Sequence, residues 1–546
     1  MERLKTISTE LLVVGNGLAG LRAAAAAAEA GVQVTVVTNG PSASPEVMGF
    51  DVPVTKNDTL DLYYKDTEVS AHGINNSSLG WALTNNVREQ VTYLESLGAK
   101  FDTDENGEYE AIHTLGTVYP RLIHCGSRTG AEGMSLLNKH CKSMGVKIQG
   151  GVSVLSLLAS DNLTYGAIAY DRNEDVLVCY RAKAVILATG GCGAIHKVST
   201  YPRNIVGDGY AIAFRANVDL VDMEFQQFEP CAFIYPPQIA GKVIATTLLR
   251  HGATLRNGLG NEFMDDYGLT RENAQKSTLA RAMVAEVNAG RGTPHGGIYY
   301  DMTMLPADFL YEDHKIFTLP AVEAGIDLTK EMPEMMPAAH TNLGGIRISA
   351  DCSTQIVNLF ACGEVIGGLH GANRIGGSAG AETVVFGTIA GNSAVQYLKD
   401  AHKVDENDYQ QALKNGIDEV CRFMYRPVSD VTAADIRQEL GTIMEKYVGI
   451  SRDEEGLCKA KTLVQNLSDK LQCAGATTLK ENTELYHCEN MLLLSQIQIE
   501  ASMLRKESRG VFYRTDYPEQ NDKDWRKNIV VHNTSEGITL EVCDPC

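Results

Sequence analysis

Leu11-Leu12-Val13-Val14-Gly15-Asn16-Gly17-Leu18-Ala19-Gly20 is an apolar run that stops at three glycines within six residues. An alanine-rich stretch to Ala30 follows, and then a second apolar run from Val32 to Val37. The order reads as strand, turn, helix, strand. The glycines let the turn close and let the backbone approach a pyrophosphate, while the helix start offers free N–H groups and a positive dipole end. Placed between two strand-like runs, the pattern indicates a dinucleotide-binding Rossmann-type unit, with an ordinary tight turn as the alternative. Gly15, Gly17, Ala19 and Gly20 are its candidate cofactor contacts. The run Ala23 to Ala28 suits a helix packed close to a sheet. Thr38, a further candidate contact, and Asn39 stand where a ribose-binding Asp or Glu is commonly found, which argues against NAD.

Two later segments point to the same ligand. Ala184 to Leu187 reads as a buried strand that ends in small residues, Ala188-Thr189-Gly190-Gly191, with room for a ligand. Thr189 and Gly190 are candidate contacts there. From Leu359 the chain runs through Cys362-Gly363-Glu364 to Gly367-Gly368-Leu369-His370-Gly371-Ala372-Asn373-Arg374-Ile375-Gly376-Gly377-Ser378-Ala379-Gly380. So many glycines beside His, Asn and Arg bring backbone close to a ligand, and Glu364, Arg374 and Ser378 are candidate contacts. The stretch Glu382 to Leu398 has helix-like composition, so its N-terminus points back toward that ligand. A positive helix end there suits the charge that develops at the N1–O2 edge of a flavin on reduction.

The chain has 546 residues, 44% of them apolar, and a net charge of -20. That length exceeds one core, so two or three domains are expected. The acidic balance disfavours nucleic acid or an anionic membrane as partner. No apolar run is long enough to span a bilayer and no cleavage site follows the first one, so a cytoplasmic location without membrane insertion is expected. Thirteen cysteines scattered along such a chain read as reduced thiols. Cys543 and Cys546 have redox or metal-ligand spacing, but no second pair completes a four-ligand site, and no metal site is expected. From about Val404 the composition turns charged and helix-forming. Ile436, Leu440, Ile443 and Tyr447 keep helical spacing behind a capping pair, Thr432 and Asp435.

At these residues the sequence resembles the flavoprotein family of succinate dehydrogenase, fumarate reductase and L-aspartate oxidase. Besides the segments above, the resemblance rests on Gly207-Asp208-Gly209, Met223-Glu224-Phe225 and His340-Thr341-Asn342-Leu343-Gly344-Gly345. Near the end it adds Glu507-Ser508-Arg509-Gly510, Tyr513 and Asp516-Tyr517-Pro518. It implies an α/β fold: a Rossmann-type FAD-binding domain of residues 1–230 and 340–400, an inserted capping domain of 231–339, and a C-terminal helical domain and tail of 401–546. It also implies FAD, with Asp208 among its contacts, and a carboxylate substrate bound between flavin and cap by His340 and Arg374. An iron–sulfur or other electron-donor protein is the implied partner.

Three positions depart from the family pattern. Phe228-Glu229-Pro230 has a carboxylate where the family has the His that holds the second carboxylate of a dicarboxylate. Two like charges at ~4 Å with an effective dielectric of ~20 cost roughly 4 kcal/mol, which argues against succinate or fumarate. Arg250-His251-Gly252-Ala253 places His251 at a usual acidic position. Aligning Arg281-Ala282-Met283 with the family's cap helix puts Lys276 where the proton-donating Arg stands, and a lysine can serve if desolvation lowers its pKa. Ser42 to Val54 contains no His at the place of covalent flavin attachment, so FAD is expected to be non-covalent. The stretch Ser44 to Phe50 lines either the flavin or the substrate mouth.

The leading expectation is an FAD-dependent oxidoreductase that reduces, or forms, a C=C bond conjugated to a carboxylate, on a substrate other than a simple dicarboxylate. The alternatives are the flavoprotein subunit of a fumarate reductase or succinate dehydrogenase, an amino-acid oxidase like L-aspartate oxidase, and a non-catalytic or electron-bifurcating subunit.

Overall fold

The computed structural model describes residues 4–546 except 115, 127, 161, 271–275 and 401–404. Its organising strand is Val176–Leu187, twelve residues long. One edge of this strand pairs in parallel with Leu4–Val14, from Leu4↔Leu177 to Val14↔Leu187. The other edge is shared. Val176 to Arg181 pair antiparallel with Leu163–Asp171, and Val185 to Leu187 pair in parallel with Leu359–Ala361. A strand that lies more than 170 residues downstream thus completes the N-terminal sheet. Beyond Leu4–Val14 come Val34–Thr38 and Lys147–Gly150, both parallel, and Val152–Ser160 closes the far side against Leu163–Asp171.

Strand ends meet where the ligand was expected. Gly15 N–H donates to Val37 O, Ala188 N–H to Val14 O and Cys362 N–H to Leu187 O, at 2.8, 2.8 and 3.0 Å. The three turns leave the carboxyl edge of the sheet side by side, the usual place for a ligand in such sheets. Gly15 has φ +114°, and a Cβ there would fall on the Ala188 carbonyl. The alanine run also has its reason. The Leu18–Glu29 helix lies in backbone contact with the Ser378–Lys399 helix: a Cβ on Gly387 would sit 2.6 Å from Ala19 O, and one on Gly391 would sit 2.5 Å from Ala23 O.

A second apolar cluster, from Cys231 to Met335, forms around a four-stranded sheet of Gln226–Tyr235, Glu334–Asn342, Ile298–Asp301 and Thr254–Arg256. Gln226–Tyr235 and Glu334–Asn342 pair antiparallel and carry the chain into and out of this unit.

The expected C-terminal helices are present as Glu406–Val420, Ala433–Tyr447, Glu454–Gln472 and Leu479–Leu504. The expected boundary near 401 and Val404 falls outside the described residues. Thr432 Oγ1 accepts from Asp435 N–H at 3.2 Å, so the expected cap forms. These helices bury their apolar faces in the same core as the N-terminal sheet. Residues 401–546 are not all helical, however. Asn528–Thr534 and Gly537–Cys543 form a hairpin whose first strand pairs with Leu220–Val221.

Candidate active site

A cavity of about 1660 Å³ opens between the carboxyl edge of the N-terminal sheet and the Cys231–Met335 unit. Of the expected cofactor contacts, Gly15, Gly17, Ala19, Thr38, Thr189, Gly190, Asp208, Glu364 and Arg374 line it. These residues fit a dinucleotide. A Cβ on Gly17 would come within 2.8 Å of the Ser44 hydroxyl, which accepts from Leu18 N–H at the helix start, so glycine here lets that turn close at the cavity wall. Gly190 takes φ +74° at the wall, and the neighbouring Thr189 hydroxyl is buried without a protein partner, an unmet group of the kind a ligand satisfies. Of the stretch Ser44 to Phe50, expected at the flavin or the substrate mouth, Ser44, Glu46, Val47, Met48 and Gly49 line the wall and Pro45 and Phe50 do not.

Two expected contacts lie behind the wall instead. Gly20 packs the helix onto the turn, since a Cβ there would strike the Gly15 carbonyl. Ser378 is buried, and its hydroxyl donates to Asp51 Oδ2 at 3.3 Å. Asp208 begins the Asp208–Arg215 helix and takes hydrogen bonds from Asn490 and the His487 ring at 2.7 and 2.9 Å. Burial would raise its pKa, but His487 and Asn490 outweigh that and hold it low. Glu364 bonds the Tyr201 hydroxyl and accepts from Asn342 N–H at 3.0 Å, while burial pushes its carboxyl up to about 7.

At the other end of the cavity four charged or ionisable residues converge. The two paired strands Gln226–Tyr235 and Glu334–Asn342 supply Glu229 and His340, with Glu229 opposite Ala338. The Lys276–Glu286 helix supplies Lys276, whose Nζ lies 2.5 Å from Glu229 Oε2. The glycine-rich loop supplies Arg374. Burial would raise the Glu229 pKa, but the Lys276 ammonium, His340 and Arg374 together hold it below the ordinary value. The His340 ring sits 3.1 Å from Thr200 Oγ1, and its enclosure lowers its pKa to about 4, Glu229 opposing and Arg374 adding to the shift.

Gln227 was not singled out from sequence, although strand alternation puts it two residues from Glu229. It grips Arg374 from both sides. Its Oε1 accepts from Arg374 Nη2 at 2.8 Å, and its Nε2 donates to the Arg374 carbonyl at 3.3 Å. Arg374 Nη1 is spent on Ile375 O, whereas Nε is buried without a protein partner. Arg281 lines the cavity with its guanidinium 4.5 Å from the Tyr513 ring centroid, a stacked position rather than one aimed at a reacting atom. His251 is exposed, packed against Phe309 and near His314, and is not part of the wall.

A family model described as FAD binding domain matches residues 10–379, and one described as fumarate reductase flavoprotein C-term matches residues 437–544. The chain is 33% identical over 542 residues to a subunit of the fumarate reductase (CoM/CoB) of Methanothermobacter marburgensis, covering 96% of this chain and 97% of that protein. It is 32% identical over 530 residues to an uncharacterised FAD-dependent oxidoreductase of Methanocaldococcus jannaschii, covering 96% of each. Among solved structures, Sdh1 of Mycobacterium smegmatis matches with a TM-score of 0.90 at 30% identity, covering 99% of this chain and 95% of that one. The glycine-cradled cavity and these similarities agree, and the chain belongs to the succinate dehydrogenase, fumarate reductase and L-aspartate oxidase family of FAD-dependent oxidoreductases.

Proposed function

We propose that the protein reduces, or in the reverse direction forms, a C=C bond conjugated to a carboxylate, and that the distal end of its substrate is polar or cationic. The observation that carries this reading is the convergence of Arg374, His340 and Lys276 on one cavity with a buried anion, Glu229, bonded to Lys276 among them.

FAD, when bound, exchanges hydride with one carbon of such a bond. Arg374, braced by Gln227 and with its Nε still unmet, takes the conjugated carboxylate and draws electron density from the alkene. Neutral His340 completes the clamp as a hydrogen-bonding group rather than as a second fixed charge. The Lys276 ammonium donates a proton to the neighbouring carbon. Its side chain is 52% exposed, so the desolvation expected from sequence is absent and Lys276 instead serves as a donor that recovers its proton from solvent. Glu229 aims Lys276 and leaves an anion facing the distal end of the substrate, where a second carboxylate meets repulsion.

The limits 1–230 with 340–400, 231–339 and 401–546 serve as the domain division, with the separate Cys231–Met335 core as support for the cap. FAD is held without a covalent bond, because Ser42 to Val54 offer no histidine. An iron–sulfur or other electron-donor protein supplies the electrons, in keeping with a relative that is one subunit of its enzyme. No helix of the described residues is long and apolar enough to cross a membrane, and the reading places the protein in the cytoplasm.

Anaerobic photoreduction followed by a spectral screen of unsaturated acids tests the proposal. Reoxidation by enoates with neutral or cationic distal groups is expected, and reoxidation by fumarate at an equal rate contradicts it. A second reading is favoured by the same anion: Glu229 facing Arg374 also suits the ammonium of an amino acid, whose oxidation to an imine would release peroxide in air. Absence of peroxide across a panel of L-amino acids removes that reading.

A further inference from the structure

Asp51 lies one layer behind the flavin cavity, on the two-residue strand Phe50–Asp51. Its N–H donates to Gly377 O at 3.3 Å, and a Cβ on Gly377 would lie 3.2 Å from the Asp51 Cβ. Gly376 and Gly377 line the cavity, and Gly377 caps the Ser378–Lys399 helix. The first residue of that helix, Ser378, donates its hydroxyl to Asp51 Oδ2. The Asp51 carboxyl therefore sits against the same helix N-terminus that faces the flavin.

Its surroundings hold little positive charge to favour its ionised form. Arg121, fully buried, precedes the strand Leu122–Ile123 that pairs with Phe50–Asp51. Its guanidinium is already committed to two other carboxylates, Asp58 at 2.6 and 2.8 Å and Asp66 at 2.6 Å. Tyr63 donates to the Asp51 backbone carbonyl at 2.9 Å, not to the carboxylate. On the strand side His124 is paired with Asp102, and on the helix side Glu382 is paired with His370. Arg88, beyond Val52, is bonded to the Pro53 carbonyl. Two carboxylates thus hold the one nearby guanidinium, and Asp51 Oδ1 is buried with no donor at all.

We propose that Asp51 is a redox-linked proton site: reduction of the bound flavin draws one proton from solvent onto its carboxylate. The balance is simple. Two electrons from the donor and one proton give the anionic reduced flavin, and a second proton converts Asp51 from carboxylate to carboxylic acid, so the site gains no net charge. The coupling arises because a reduced flavin and an ionised Asp51 would be like charges competing for one helix terminus, Gly377 lining the cavity on one side and touching Asp51 on the other. Burial pushes the Asp51 carboxyl up to about 7, with Arg121 and Ser378 opposing, which places the exchange near neutral pH. A rise of about tenfold in its proton affinity on reduction corresponds to a new like charge about 12 Å away at an effective dielectric of about 20. This inference rests on FAD binding alone and holds whichever substrate the enzyme uses.

The test is spectroelectrochemical titration of the FAD-loaded protein from about pH 5.5 to about pH 9, alongside Asp51→Asn. Wild type is expected to take up as much as about half a proton more per two electrons than Asp51→Asn, over a window of about one pH unit just above neutrality. The ionisation of the flavin itself is common to both proteins. In reduced-minus-oxidised infrared spectra the wild type gains a protonated-carboxyl stretch that the variant lacks. Should Asp51→Asn fail to retain FAD, Ser378→Ala decides: loss of the hydroxyl donor raises the proton affinity of Asp51, so the steep window moves to higher pH. Identical proton uptake in wild type and Asp51→Asn, or a window unmoved in Ser378→Ala, overturns the proposal.

Discussion

Lys276 Nζ and Glu229 Oε2 lie 2.5 Å apart, an ion pair that joins the Lys276–Glu286 helix to the Gln226–Tyr235 strand at the cavity wall. The pair is asymmetric. Glu229 is 6% exposed at its side chain and Lys276 52%, so the anion belongs to the site and the cation connects it to solvent. Lys276→Met should therefore lower kcat for alkene reduction by about 10²- to 10⁴-fold, the range for loss of a positioned acid, while FAD content and flavin reduction stay normal. Stopped-flow reoxidation of the reduced variant measures this, and an unchanged rate removes Lys276 from the chemistry.

Glu229→Gln keeps the shape and removes the anion. A dicarboxylate should then bind better, by about 10- to 100-fold, a fraction of the full like-charge cost because Lys276 already offsets part of it. The comparison is fumarate KM in the two proteins. Equal values indicate that Glu229 does not face the distal end of the substrate.

Gly17→Val should yield folded protein without flavin. The added side chain meets the Ser42 and Ser44 side chains, which can shift, rather than backbone, so the fold can adjust, but it crowds the cavity wall at the helix start. A yellow variant with full occupancy contradicts the assignment. Gly15 is a poorer choice, because its positive φ and the Ala188 carbonyl tie it to the fold itself.

The nucleotide-binding half was legible because its signals are local. Gly15, Gly17, Thr189 and Gly190 each follow an apolar run, and a strand that ends in small residues is visible without knowing its neighbours. What sequence missed depends on pairs far apart in the chain. Gln227 bracing Arg374 spans 147 residues and Arg121 joining Asp58 spans 63, and neither leaves a spacing to read. Ser378 and Gly20 were assigned to the cofactor because they sit among glycines that do face it; a helix start turns successive residues to different sides, and these two face inward. His251 aligns with an acidic position, yet it ends the short Thr246–His251 helix and turns outward onto Phe309. The C-terminal hairpin was hidden because Ile529, Val530 and Val531 form one short apolar block rather than an alternation.

Acid stability should carry the mark of His196. Its ring is buried against Phe228 with neither nitrogen paired to protein, and burial, helped by Arg452, lowers its pKa to about 3. The unfolded chain binds that proton near pH 6.5, so the contribution of the neutral ring is full above about 6.5 and declines as pH falls toward 3. By pH 4 the loss is on the order of 3 kcal/mol. Urea unfolding at pH 7.5 and pH 4.5 should show a smaller acid penalty in His196→Leu than in wild type, and parallel losses contradict the assignment.

Denaturing the holoprotein in acid should release its flavin into the supernatant, since Ser42 to Val54 contain no histidine to hold it. Yellow colour retained by the precipitate overturns that expectation.

In the proposed reaction everything turns on Arg374 clamping the carboxylate of the substrate. The most direct measurement is reoxidation of photoreduced wild type, Arg374→Lys and Arg374→Ala by the best enoate, with FAD content determined in each. A lysine keeps the charge but loses the planar fork and the grip of Gln227. Full flavin is predicted in both variants, with a loss of roughly 2–4 kcal/mol in transition-state stabilisation for Arg374→Lys. Near-wild-type turnover with full flavin in both variants would contradict the clamp.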